Sequence, residues 1–234
     1  MAIYNGEDQS TAGGSGGDTE RIVEILNEPF TNINTSRWTV NAPTNSSISV
    51  VGGKVRFTSD ATFNPQPTLT WTEKLTGTDL TFQFHLKNNT TNNDTALTLG
   101  LEPIRGDDTS LIKFGGGRQS STHQAWLYDP DGAAPDTFAT AAAEMWVRVH
   151  MTANGRFCAW YYAAAASSVP SETDWTEYAD YKTYLADNPI TPCTLVIRLE
   201  SYAGTPNAAS WDISNLTIHA GGIPYVAQQK GQRT

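Results

Sequence analysis

The plainest regularity in the chain is alternation. In DLTFQFHLKN (79–88) the residues Leu80, Phe82, Phe84 and Leu86 take every second position. In CTLVIRLESYA (193–203) Leu195, Ile197 and Leu199 do the same. A period of two gives a strand one buried and one wet face. Similar runs are SRWTV (36–40), SISVV (47–51), KVRFTS (54–59), PTLTWTEKL (67–75), TALTLGLEP (95–103), SLIKFGG (110–116), STHQAWLYD (121–129) and ASWDISNLTIHA (209–220). Turn residues separate them, and Gly52-Gly53 suits a two-residue hairpin. RIVEILNEPF (21–30) reads as a further strand on its β-branched Ile22, Val23 and Ile25. A short helix capped at Asp18 is the alternative, because Ile22, Ile25 and Leu26 also fall at helical spacing. About a dozen strands of this kind predict an all-β, two-layer antiparallel jelly-roll sandwich. Two stretches depart from the pattern. TFATAAAEMW (137–146) and SETDWTEYADYKTYLA (171–186) have local helical character, the second with Ser171 or Thr173 as a cap, and predict short helical insertions.

The strongest hairpin signal is WVRVHMTANGRFCAWYY (146–162), with Asn154-Gly155 suited to the positive-φ positions of a tight turn. A two-residue turn pairs Met151 with Cys158, Val149 with Trp160 and Val147 with Tyr162. One face then collects Val147, Val149, Met151, Cys158, Trp160 and Tyr162 as core. The other collects Trp146, Arg148, His150, Thr152, Phe157, Ala159 and Tyr161, half aromatic and half cationic. A three-residue loop would shift one strand and scramble this second face.

Composition narrows the picture. The chain has 234 residues, 38% apolar and 17% charged, with a net charge of −9. No Lys/Arg cluster appears, so nucleic acid and anionic membrane surfaces are not expected partners. No apolar run approaches the ~20 residues that cross a bilayer. The start, MAIYNGEDQSTAGG, lacks the basic and apolar regions of a secretory signal, which predicts synthesis in a cytoplasm. Cys158 and Cys193 are expected as buried thiols, with a disulfide as the alternative, and no zinc spacing exists. Residues 1–18 read as a flexible arm through TAGGSGG, tipped by Ile3 and Tyr4, with a plain disordered terminus as the alternative. Residues 19–220 form the domain, and residues 221–234, with Ile223 and Tyr225, a C-terminal extension.

The order of Phe30, SRW at 36–38 and VGGKVRFTS at 51–59 resembles the entry to concanavalin A-like and laminin G-like jelly rolls. The central hairpin followed by Trp175, and WDISNL at 211–216 as a closing strand beside the first, resemble the same domains. The resemblance covers roughly 28–220 and implies two curved antiparallel sheets, with a concave face or a loop rim that binds carbohydrate or protein. β-Glucanases of this fold carry an E-x-D-x-E strand, and this chain has none. Glycoside hydrolysis needs two carboxylates facing across a cleft. The absence of such a strand points to a non-enzymatic protein, with a concanavalin-like glycoside hydrolase as an alternative. In overall style, the jelly roll between a glycine-rich arm and a tail resembles minor tail or other virion proteins of phages infecting actinobacteria. That implies a virion location, other virion proteins as partners through the arms, and a homo-oligomer or larger assembly. A purely structural capsid decoration protein is the other alternative.

Sugar sites combine aromatic platforms with side chains that bind hydroxyls. Arg148, His150 and Tyr161 on the second hairpin face, and Trp126 and Tyr128 on the rim segment 123–136, are therefore the candidate carbohydrate residues. A face covered by an insertion or another subunit is the competing reading. Asp129 and Asp131 around Asp-Pro-Asp-Gly could ligate calcium, although the pattern is incomplete and a plain turn explains it as well. No cofactor is expected. Ile3, Tyr4, Ile223 and Tyr225 are the candidate attachment residues.

Overall fold

The computed structural model describes residues 23–61, 66–76, 79–103, 112–128, 137–152, 156–183, 192–201 and 207–220. They form fifteen strands: β1 (Val23–Glu28), β2 (Trp38–Asn41), β3 (Ser46–Val50), β4 (Val55–Ser59), β5 (Thr68–Leu75), β6 (Leu80–Asn88), β7 (Thr95–Pro103), β8 (Ile112–Gln119), β9 (Thr122–Tyr128), β10 (Thr137–Ala141), β11 (Glu144–Met151), β12 (Arg156–Tyr162), β13 (Thr176–Thr183), β14 (Cys193–Ser201) and β15 (Ala209–Ala220). Sheet A runs β13-β12-β11-β6-β15-β4-β3, with β1 also on β15. Sheet B runs β10-β9-β8-β7-β14-β5-β2. The all-β sandwich read from the alternation is the observed architecture.

Alternation decides what lies between the sheets. Leu80, Phe82, Phe84 and Leu86 of β6 face Leu97, Leu99, Leu101 and Phe114 of sheet B, all fully buried. Phe114 packs against Phe82 and Phe84 with centroids 5.1 and 6.2 Å apart. Each such side chain contributes about 1.5–3 kcal/mol by leaving water. Gly116 lies under this layer, where a Cβ would touch Met145 and Leu86. The Gly52-Gly53 turn joins β3 and β4 as expected, with φ of 59° and 74° and reciprocal backbone bonds between Val51 and Lys54.

β15 organises sheet A. One edge pairs with β6, while the other pairs first with β4 (209–213) and then with β1 (216–220). The exchange of partner falls at a bulge between Ser214 and Thr217, where Asn215 adopts φ 53°. The expected closing strand thus lies beside the first, and Val23 is directly opposite Ala220. The helical alternative for β1 gives way to this pairing.

Two expectations need correction. The segments expected to be helical are edge strands: β10 completes sheet B on β9, and β13 completes sheet A on β12. No helix occurs among the described residues. Local composition there favours helix, but pairing with an open sheet edge satisfies the same backbone groups within the fold. Ser171 caps no helix. Its N–H and hydroxyl donate to Asp174 at 2.7 and 2.8 Å in a turn.

The second correction is the hairpin register. Met151 lies opposite Phe157, His150 opposite Cys158 and Arg148 opposite Trp160. This is one residue short of the two-residue-turn pairing, so the whole of β12 turns over. Phe157, Ala159 and Tyr161 point into the inter-sheet core, and Cys158, Trp160 and Tyr162 join Trp146 on the outer face. Asn154-Gly155 lies outside the described residues. The two cysteines are free and buried, as expected, and the disulfide alternative falls away.

Candidate functional site

The outer face of sheet A is where chemistry accumulates. Three neighbouring strands each present three side chains away from the core, aligned by their pairing: Trp146, Arg148 and His150 on β11; His85, Gln83 and Thr81 on β6; Ser214, Thr217 and His219 on β15. Strand spacing and rise give this grid a footprint of about 10 by 14 Å. On its far side β1 adds the exposed Asn27 and Glu24, opposite Thr217 and His219.

One flank of the grid is roofed. Residues 163–175, linking β12 to β13, fold over β11. Ala165 carbonyl accepts from Trp146 Nε1 (3.2 Å), and Ala166 N–H donates to Glu144 (3.4 Å). Beneath them Trp146, Cys158, Trp160 and Trp175 form a small apolar cluster of their own.

Arg148 sits at the border between roof and grid and is 4% exposed. Its Nε and one terminal nitrogen donate to Gln83 Oε1 (3.1 and 2.9 Å), and its terminal nitrogens grip Glu172 (2.8 and 3.0 Å). The guanidinium lies 4.2 Å from the centre of the Trp175 ring. His150 is fully buried, with Nε2 2.5 Å from Asp79 Oδ1.

His85 is a strongly perturbed imidazole. Burial pushes its pKa down to about 4, against the opposing pull of the Ala164 carbonyl and Glu144. It is neutral near pH 7. Its Nε2–H donates to Ala164 (3.2 Å), which leaves the Nδ1 lone pair as a buried acceptor. For Glu144 itself burial acts upward, but Lys87 and the Ala166 N–H outweigh it and hold the carboxyl below its ordinary range.

Four polar atoms of the grid are buried without any hydrogen-bond partner: Thr81 Oγ1, His85 Nδ1, Ser214 Oγ and His219 Nδ1. Buried polar groups normally have partners, so these four atoms are places on this face where hydrogen-bonding capacity is left unused. Gln83, Thr217 and His219 are half-buried and bring the grid to the surface. Among the described residues no three His, Cys, Asp or Glu side chains converge as a metal site requires.

The structure separates the carbohydrate candidates. Arg148 and His150 share the outer face of sheet A. Tyr161 does not join them: it packs on the core side, edge-on to Tyr178 (6.1 Å), whose hydroxyl donates to the Trp126 carbonyl (3.0 Å) and links the two sheets. Trp126 belongs to the outer face of sheet B, the opposite surface of the sandwich. There it lies against Gly117, where a Cβ would come within 2.4 Å of its ring. The Tyr128 side chain, Asp129, Asp131, Ile3, Tyr4, Ile223 and Tyr225 lie outside the described residues. The grid residues on β6 and β15 were hidden in the sequence as the polar half of alternating runs. The available signal was histidine: of the chain's four, His85, His150 and His219 sit on this one face.

No family model and no curated protein sequence matches the chain. Solved structures do. The CBM2 module of the evolved Dit of Lactobacillus casei BL23 phage J-1 is similar at TM-score 0.59 and 8% identity, over 86% of this chain and 96% of that one. A GH43 glycoside hydrolase with endo-xylanase and exo-arabinofuranosidase activity is similar at 0.58 and 11%, over 88% of this chain but only 42% of its own length. The Bacillus licheniformis β-glucanase is similar at 0.54 and 14%, over 89% of this chain and the whole of that one. At these identities the likeness is one of fold, and it places the chain among jelly-roll sandwiches.

Proposed function

We propose that this protein is a non-catalytic carbohydrate-binding module of a phage virion, of minor tail or adhesin type, and that the grid on sheet A is its binding face. The observation that carries this reading is the set of partnerless buried polar atoms around the half-exposed Gln83. Sugars present many hydroxyls that both donate and accept. The half-buried positions answer with the Gln83 amide, the Thr217 hydroxyl and the His219 imidazole, set among the buried Thr81, His85 and Ser214. The open part of the face lies over β6 and β15, while Arg148 and His150 form its wall.

Support for a non-catalytic role comes from the acids bordering the grid. Glu172 is engaged by Arg148, Asp79 by His150, and Glu144 by Lys87 and the Ala166 N–H. Retaining or inverting hydrolysis takes two carboxylates about 5–10 Å apart with the substrate between them. A virion setting is supported by the phage module of the same fold and by the pairing of Val23 with Ala220, which starts both arms from one spot.

The test is a glycan array together with a host cell-wall pull-down, using the whole protein and a Gln83→Ala/Thr217→Val variant. Binding by the wild type and its loss in the variant are expected, with no release of reducing sugar. A wild type silent on both would remove the adhesive reading. Deleting residues 1–18 is expected to abolish particle incorporation.

A further inference from the structure

The ion pair between Arg148 and Glu172 is lopsided. The Arg148 side chain is 5% exposed and the Glu172 side chain 52%. The cation belongs to the sheet, and the anion is lent by the roof. Three things position the guanidinium without Glu172. Gln83 Oε1 takes one edge through two hydrogen bonds, the Trp175 ring covers one face at 4.2 Å, and Trp160 is its neighbour across the strand pair. What remains is the edge that Glu172 now fills with two bonds, a fork shaped for a planar carboxylate.

The roof does not depend on that carboxylate. Ala164, Ala165 and Ala166 anchor it to His85, Trp146 and Glu144, and Ser171 and Asp174 close their own turn. Glu172 can therefore swing toward solvent while residues 163–175 stay in place. Beside the guanidinium, Trp175 is 7% exposed and its Nε1–H is a buried donor with no acceptor. The donors here exceed the acceptors that the described residues supply.

We infer that the glycan taken by this face carries a carboxylate, as a uronic acid does, and that Glu172 occupies the ligand carboxylate's place on Arg148 in the unliganded protein. The inference rests on the glycan-binding reading of the grid and adds the class of sugar. The acid group meets the Arg148 fork, and the ring hydroxyls meet the half-buried Gln83, Thr217 and His219. Glu172 then acts as an internal competitor. It keeps a desolvated guanidinium paired when no ligand is present, and it selects against neutral sugars, which cannot replace its charge.

The experiment is calorimetric titration of the whole protein with oligogalacturonate, oligoglucuronate and oligomannuronate, each beside its carboxyl-reduced neutral counterpart. At least one acidic member should bind about tenfold or more tightly than its neutral partner, with affinity falling as salt rises. Glu172→Gln should strengthen acidic binding several-fold by removing the competitor, and should do so more than for the neutral partner. Arg148→Gln should abolish the preference, with a thermal melt recorded to verify folding. Because Glu172→Gln leaves the buried cation in place, it carries the test if Arg148→Gln does not fold. Equal binding of an acidic sugar and its neutral partner would overturn the inference while leaving the glycan reading intact. So would a Glu172→Gln variant that binds acidic sugars no better than wild type. Binding of no acidic member would overturn the inference, with the array deciding the glycan reading separately.

Discussion

His85 should make this fold acid-sensitive in a defined window. Burial lowers its pKa from 6.5 to about 4, so the folded state holds it neutral. The unfolded chain takes up a proton as pH falls below 6.5, and the folded chain does so only near 4. Stability from this group is therefore complete above pH 6.5, declines as pH drops through the window, and levels off below about 4, where both states are charged. At 1.36 kcal/mol per pH unit the full effect is about 3 kcal/mol, of which about 2 kcal/mol is lost by pH 5. The perturbation is His85→Gln, which keeps a polar side chain and removes the titration. Urea unfolding followed by tryptophan fluorescence at pH 8 and pH 5 gives the stability of both proteins. Wild type should lose about 2 kcal/mol more than the variant over that interval. Taking this difference cancels the carboxylates and the other histidines, including His123, whose pKa is lowered by burial and by Arg118. Equal losses in the two proteins would refute the claim that burial holds His85 neutral.

Further outcomes follow from packing. A Cβ on Gly115 would lie 2.4 Å from the Leu97 carbonyl oxygen, a backbone atom that cannot step aside, so Gly115→Ala should cost about 2–3 kcal/mol. Gly53→Ala meets nothing within 4 Å and should cost only about 1 kcal/mol, from its φ of +74°; chemical denaturation gives the order, and a reversed order would contradict it. Phe114→Ala, at the centre of the sandwich, should lower stability by about 3–5 kcal/mol, read as a shifted urea midpoint. Asp212→Asn breaks the bidentate pair with Arg56 (2.7 and 2.9 Å), with Asp212 buried and Arg56 one-third exposed, and should cost about 1–3 kcal/mol in the same assay. Both thiols should resist a chromogenic disulfide reagent in the native protein and react after denaturation, since both are buried and Cys193 is pushed up to about 12.

The alternating runs placed most strands because a two-residue period is a direct record of a sheet with unlike faces. The hairpin at 146–162 shows where such a record stops. Both strands have apolar residues on both faces, so either register buries something, and Asn154-Gly155 alone does not settle the loop length. The outcome depended on distant partners: Trp175 and residues 163–166 cover the outer face, which lets Cys158 and Trp160 be buried there. The edge strands β10 and β13 were illegible for a related reason. Their alanines, with Glu177 and Lys182 in β13, carry helical propensity, and the presence of β9 and β12 beside them makes strand the better state. The grid was half legible. Arg148 and His150 stood out as cations among aromatics, whereas Gln83, Thr217 and Ser214 looked like any wet-face residues. Nothing local to β6 or β15 says that those two strands are neighbours.

The pairing of Val23 with Ala220 also sets how the domain responds to force. A pull applied through the two ends of the described chain acts on adjacent residues of two antiparallel strands, at the same end of the ladder. The load falls on one hydrogen-bonded pair at a time, beginning at Val23, so β1 peels from β15 like a zipper and does not resist in shear. A pull applied between β11, on the outer face of sheet A, and one end of the described chain crosses β6 and β15 before it reaches β1. The described fold should therefore yield more readily to a pull between its two ends than to one between the outer face of sheet A and either end.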